Sequence, residues 1–189
     1  SYYCAAFVVE GYSANVGAAA PYVISIPEKS DPNFRDMDRI SYVTEVIDDS
    51  TSTALTSFSP TYRTVTFTPA TDIVNSGTGN IPTGTPVAFF AYSDGQTEGQ
   101  VIVPLDKAAT YYAINVSTTT IRLAATYEDA MAGTPYINLI GSNSGTQYLW
   151  VITPGVGEYF ATLSGDFFFN SADAGKAMTL TYTYTKFST

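Results

Sequence analysis

From residue 178 to residue 185 the chain alternates without a break, Met178, Leu180, Tyr182 and Tyr184 against Thr179, Thr181, Thr183 and Thr185. Only an extended backbone sends every second side chain to the same face, so this stretch has to be a strand with one apolar and one hydroxyl-rich side. A strand of that kind is half exposed and antiparallel, because a parallel strand covered on both faces reads as a continuous apolar run. The 15 tyrosines and 11 phenylalanines point the same way, since ring-bearing and β-branched side chains suit a pleated surface. Helical patterning is confined to residues near 34–39 and to the turn 127–132. The reading is an all-β chain, an antiparallel β-sandwich or barrel-like domain with an additional small β module.

Turn chemistry divides the chain further. Residues 2–9 and 21–26 read as strands separated by the small-residue stretch 11–20. Residues 40–47 alternate with apolar groups on both faces, which implies burial or an interface. The Asp-, Ser- and Thr-rich stretch 48–57 reads as a loop. Residues 62–68 form a strand that Pro69 ends, because proline lacks the N–H a ladder needs. The cluster 75–80 is a turn, 87–92 is a strand, and Asp94 with Gly95 makes the next reversal. Strands 111–116 and 120–124 lie close enough for a hairpin, with Tyr112, Ile114 and Val116 sharing one face. Thr126 can then cap one helical turn, Glu128 and Asp129 favour its N-terminus, and Gly133 can end it in the left-handed conformation. Strand 148–153 closes this unit before Pro154 and Gly155.

At 189 residues the chain can bury one full core or two smaller ones. We expect residues 1–60 and 154–189 to form one paired β domain, since each terminal strand set would otherwise leave an open edge. Residues 61–153 are then an inserted or appended module.

Charge and chemistry narrow the function classes. A net charge of −9 with eight lysines and arginines disfavours phosphate-backbone contact, so no direct nucleic-acid partner is expected. There is no apolar run of 18 residues and no basic leader with a cleavage site, so neither a membrane span nor a signal peptide is expected, and synthesis in the cytosol is the natural reading. Cys4 is the sole cysteine and cannot form an internal disulfide. The absence of histidine removes imidazole catalysis and most zinc sites. The carboxylate pairs Asp36/Asp38 and Asp48/Asp49 could serve a glycosidase or hold calcium only if the fold arranged them, and neither fits a calcium-loop pattern. We therefore expect no enzyme activity, cofactor or metal.

Four features remain as binding candidates. Glu28, Lys29, Asp31, Arg35, Asp36, Asp38 and Arg39 put seven charges into twelve positions, a solvated loop or a docking loop. Phe167, Phe168 and Phe169 are consecutive, so they cannot all point one way in a strand; one must face a partner, another element or solvent, which marks an oligomer interface or two-sided burial. Trp150 with the tyrosines could make a sugar platform, although its place in the apolar stretch 149–152 reads as core. Asn115, Val116 and Ser117 match a glycosylation sequon in what reads as a strand-to-turn transition.

The segment 81–147 resembles a β module of tailed-bacteriophage virion proteins. The matching residues are Thr83, Gly84, Val87, Pro104, Leu105, Thr110, Tyr111, Tyr112, Ile114, Val116, Thr120, Ile121, Leu123, Ala124, Asp129, Ala130, Ala132, Gly133, Thr134, Ile137, Leu139, Gly141, Gly145 and Thr146. The insertion 93–100 and Tyr136 depart from the pattern, and neither removes a turn glycine. At the C-terminal end Gly165, Phe167, Phe169, Asp173, Ala174, Gly175, Lys176, Leu180, Tyr182 and Tyr184 resemble a closing strand pair of phage head and tail proteins.

The resemblance implies a structural virion protein, made in the host cytoplasm and acting through interfaces. Its leading form is a capsid decoration (cement) protein, a homotrimer bridging copies of the major capsid protein. A tail, neck or fibre-base component touching neighbouring tail proteins is the alternative in the same class. A carbohydrate-binding receptor module is the alternative from another class.

Overall fold

The computed structural model describes residues 3–30, 39–94 and 97–188. In chain order the strands are β1 (Tyr3–Asn15), β2 (Val23–Ser25), β3 (Arg39–Asp48), β4 (Thr53–Ala54), β5 (Thr56–Ser57), β6 (Tyr62–Thr68), β7 (Ile73–Asn75), β8 (Pro86–Ser93), β9 (Thr97–Glu98), β10 (Tyr111–Ser117), β11 (Thr120–Ala124), β12 (Thr146–Val151), β13 (Glu158–Ala161), β14 (Asp166–Phe169) and β15 (Ala177–Ser188). A single α-helix among the described residues, α1 (Tyr127–Ala132), sits between β11 and β12. The fold is all-β, and the chain divides into two units, Ser1–Ser59 with Thr153–Thr189, and Pro60–Ile152.

The first unit holds two four-stranded sheets, ordered β1-β15-β3-β4 and β2-β14-β13-β5. The 178–185 alternation becomes the centre of β15, where Met178, Leu180 and Tyr182 are fully buried. They meet Phe167 and Phe169 of β14 and Ile24 of β2, so the inner faces of both sheets share one core. Pairing is antiparallel except between β13 and β5, where Tyr159 lies beside Ser57 in a parallel arrangement.

Bulges decide which residues of the first sheet face inward. On β1 the register against β15 slips between Val9 and Tyr12, and the strand continues through Gly11 to Asn15. The expected break at residue 11 is therefore absent, because Gly11 takes a positive φ of 72° inside the strand and bends it without ending it. On β3 the register slips twice against β15. Ile40 and Val46 are buried and Val43 packs partly against the same core, a spacing of three that simple alternation does not give. Tyr42, expected to share a face with Ile40, is instead 65% exposed. The stretch 48–57, read as loop, contains β4 and β5, and Arg39, read at the end of a helical segment, opens β3.

The second unit is a closed barrel. Its sheet runs β10-β11-β7-β6-β12-β8-β9, and a further pairing of β10 with β8 joins the two sides. The contacts Tyr111 with Val87 and Tyr112 with Pro86 make that closure, which joins six strands into a ring and leaves the two-residue β9 as an end strand beside β8. Val87, Phe89 and Ala91 of β8 line the interior with Leu149, Ile121 and Ala113. On β10 it is Tyr111 and Ala113 that face this core. Tyr112 lies on the other side against Tyr127 of α1, with ring centroids 6.0 Å apart, and Val116 is 45% exposed.

The ends of α1 follow from side-chain chemistry. The Thr126 hydroxyl accepts the Asp129 N–H at 3.1 Å, and Gly133 ends the helix at φ 78°, its N–H donating to the carbonyls of Ala130 and Asp129. Gly145 marks a tight turn of the barrel. Its φ is +77°, and a Cβ there would stand 2.7 Å from the Tyr92 carbonyl carbon, a backbone atom of the adjoining strand.

Candidate interaction surfaces

The three consecutive phenylalanines are interior residues. β14 lies between β13 and β2, and Phe167, Phe168 and Phe169 are 0%, 1% and 3% exposed. Phe167 and Phe169 fill the core, with the Phe167 ring 6.2 Å from Tyr159 and 5.9 Å from Tyr182. Phe168 takes the opposite face, across the ladder from Phe160, whose ring meets Phe58 edge-on at 6.4 Å. The expectation of an oligomer interface at these residues is corrected, because the sheet places them at a fully covered position on both faces. Of the charged segment, Arg35, Asp36 and Asp38 lie outside the described residues. Arg39 is half-buried at the start of β3, opposite Thr185.

The acids expected to solvate a loop do structural work. Asp48 is 6% exposed and accepts from the Ser50 N–H at 3.0 Å and the Ser50 hydroxyl at 2.6 Å. The Ser50 hydroxyl, with the Lys176 ammonium nearby, holds the Asp48 carboxyl below the usual carboxylate range against the cost of burial. Asp49 turns elsewhere and accepts from the Thr179 hydroxyl at 2.7 Å. Lys176 stands 3.1 Å from Asp173 and 3.5 Å from Asp48, and those carboxylates push its ammonium upward, Asp173 most. Asp173 is 4% exposed, and its second oxygen, Oδ2, has no hydrogen-bond partner. A second buried carboxylate, Asp166, accepts from Ser25 at 2.7 Å and pairs with Lys29 at 2.8 Å. No group of three or more acids or cysteines suited to a metal ion occurs among the described residues.

On the barrel, Trp150 is not a core residue. It is half-buried on the outer face of β12, while its neighbour Leu149 points inward. Directly opposed residues of an antiparallel pair share a face, which puts Tyr62 of β6 beside Trp150, and Tyr148 beside Phe90 of β8. The Phe90 ring is 4.6 Å from Trp150, 4.9 Å from Tyr148, 5.5 Å from Tyr92 and 6.0 Å from Tyr62. Tyr62 is 61% exposed. The sequence concealed this cluster because a short apolar strand does not state which of its faces is outside; the usable signal was an aromatic residue at every second position, Phe90 and Tyr92 on one strand and Tyr148 and Trp150 on the other. The Asn115 side chain is committed, its Nδ2 donating to Asn80, to the Ile81 carbonyl and to the Ser117 carbonyl.

Clefts open on the barrel among the described residues. One, of about 400 Å³, is walled by Thr66, Phe67, Gly141, Asn143 and Gln147 and has no titratable side chain in its lining. Another, of about 410 Å³, carries Asp106 and Lys107, with Lys107 paired to Glu98 at 2.7 Å.

A further surface lies along β1. Among the described residues β1 is the outer strand of its sheet, bonded on one side by β15. Its Phe7 is 44% exposed and stacks on Tyr184 at 5.3 Å, and Val8 is 63% exposed. No helix among the described residues is long and apolar enough to cross a membrane. No protein-family model, curated protein or solved structure matches the chain.

Proposed function

We propose that this chain is a structural, non-enzymatic component of a tailed-bacteriophage virion, a capsid decoration protein that acts as a homo-oligomer bridging neighbouring capsomers. The reading rests on the resemblance of residues 81–147, and one observation carries it. The residues that bear the resemblance are scaffold: Gly133 closes α1, Gly145 makes the turn against Tyr92, and Val87, Tyr111, Ile121, Leu123 and Leu139 fill the barrel. What is shared is thus a rigid body rather than a reaction centre, and rigid β bodies do their work through surface. A net charge of −9 with eight lysines and arginines suits the outside of a head better than contact with packaged DNA.

The test is to mix the purified chain with undecorated heads and with isolated tails, and to measure co-sedimentation and head stability. Saturable binding to heads with a raised disruption temperature supports decoration. Binding to tails alone moves the assignment to a tail, neck or fibre-base role.

The carbohydrate-binding reading is favoured by the outer aromatic cluster of Tyr62, Phe90, Tyr92, Tyr148 and Trp150, since rings at a surface can stack on sugar C–H faces. Trp150 is the sole tryptophan, so a glycan that binds there changes the intrinsic fluorescence, and Tyr62→Ala weakens that response.

A further inference from the structure

The two halves of β1 are built differently. From residue 10 to residue 15 the edge carries Glu10, the bulge at Gly11, Ser13 and Asn15, the kinds of feature that keep a free edge from pairing. From residue 3 to residue 9 the sequence is YCAAFVV, with no charge, proline, glycine or bulge. Cys4, Ala6, Phe7 and Val8 are all exposed, and β15 is the one strand that bonds β1 among the described residues. Alternate N–H and C=O groups of such a strand point away from its sheet and favour another strand.

We infer that residues 3–9 form a self-association edge, pairing antiparallel with the same residues of a second copy about a two-fold axis at Ala6. Charge admits a second copy at this edge. A chain of net charge −9 repels its own copy wherever charged faces meet, and residues 3–9 hold none of its lysines, arginines, aspartates or glutamates. Shape selects the register. Pairing about Ala6 sets Phe7 opposite Ala5 of the second copy and Val8 opposite Cys4, a larger side chain against a smaller one in both of these pairs, and the two-fold repeats each contact. Glu10 and the Gly11 bulge end the paired stretch at Val9 after about 24 Å of edge. The four-stranded sheet of one copy then continues into that of the other.

This inference deepens the homo-oligomer part of the proposed function and does not depend on the virion assignment. The experiment is light scattering coupled to gel filtration over a range of concentrations, on the wild-type chain and on Ala6→Lys. Wild type is expected at twice the chain mass, and Ala6→Lys at the chain mass with an unchanged circular dichroism spectrum. A second pair of variants keeps the test independent of how the lysine is tolerated. Opposed residues of an antiparallel pair have Cα atoms about 4.5 to 5.5 Å apart, within the span of a disulfide. Cys4→Ser/Ala6→Cys should therefore cross-link to a dimer under mild oxidation, and Cys4→Ser/Ser13→Cys should not. A wild-type mass of one chain at every concentration overturns the inference. A mass of three chains, which requires β1 to meet a different edge, does so too, as does equal cross-linking of the two cysteine variants. A two-fold dimer without affinity for heads or tails would leave this pairing standing and remove the virion reading; a monomer that binds heads would do the reverse.

Discussion

The Tyr182 hydroxyl donates a 2.6 Å hydrogen bond to the Glu28 carboxylate, joining two residues 154 positions apart in the chain. Tyr182 lies at the centre of β15 with its side chain fully buried, and Glu28 stands in the 3₁₀ turn that follows β2. The strand that announces the fold is thereby tied to the other sheet of its unit by a polar contact as well as by packing. Burial first, and then the Glu28 carboxylate, push the Tyr182 hydroxyl far above its ordinary value of 10.0.

Tyr182→Phe keeps the ring and removes the bond. Glu28 remains within reach of water, so the expected cost is about 1 to 2 kcal/mol, read as a lower urea midpoint at pH 7. The folded state holds the Tyr182 proton more tightly than the unfolded chain does. That contribution is complete below the ordinary value of 10.0 and is lost as pH rises above it. The variant should accordingly show a flatter loss of stability in alkali than wild type, and parallel curves would contradict the assignment.

The opposite end of the pH scale tests Asp48. Its folded carboxyl is held below the ordinary value of 3.8, so it contributes stability above that value and loses it as pH falls through the lower folded one. Asp48→Asn should reduce stability at neutral pH and flatten its decline between about pH 5 and pH 2. Lys176→Ala should be the more damaging change, because it leaves the buried Asp48 and Asp173 carboxylates without the cation they share. Thermal melts of the three proteins across that range decide the order.

Legibility tracked how local each cause was. The alternation over 178–185, the strand Tyr62–Thr68 stopped at Pro69 and the Thr126-to-Gly133 cap pair were readable because neighbours in sequence determine them. The inward face of β3 was not, since the two slips that carry Ile40, Val43 and Val46 to one side arise from pairing with β15. Trp150 was misplaced for a related reason: an apolar tetrapeptide does not reveal that Leu149 owns the barrel interior. The phenylalanine triplet was read correctly as needing two faces, and only tertiary packing, which buries Phe167 and Phe169 against β15 and leaves Phe168 1% exposed on the other face, could say that both are covered. The barrel closure by Tyr111 and Val87 likewise depends on strands far apart in the chain.

Phe168 separates burial from interface function by mutation. At 1% exposure its truncation to alanine leaves a cavity, and the expected loss is about 3 to 5 kcal/mol. The midpoint of unfolding should fall, while the mass of whatever remains folded should not change. A well-folded Phe168→Ala chain with an altered oligomeric mass would restore the interface reading.

Two glycines with nearly the same φ make the sharpest comparison. Gly133 has φ +78° and open space where a Cβ would go, so Gly133→Ala should cost only the left-handed backbone penalty of about 1 kcal/mol. Gly145 has φ +77°, and its added Cβ would sit 2.7 Å from the Tyr92 carbonyl carbon and carbonyl oxygen alike. Those are backbone atoms of β8, which pairs with β12 from Tyr92 through Val87, so relief requires the strands to part rather than a side chain to rotate. Gly145→Ala should therefore cost clearly more than Gly133→Ala, and because Trp150 lies on β12 the difference is readable as an earlier transition in tryptophan fluorescence during urea unfolding. Equal midpoints for the two variants would mean that the turn at Gly145 can open without disturbing the barrel, and that the resemblance residue there is not needed to hold β8 against β12.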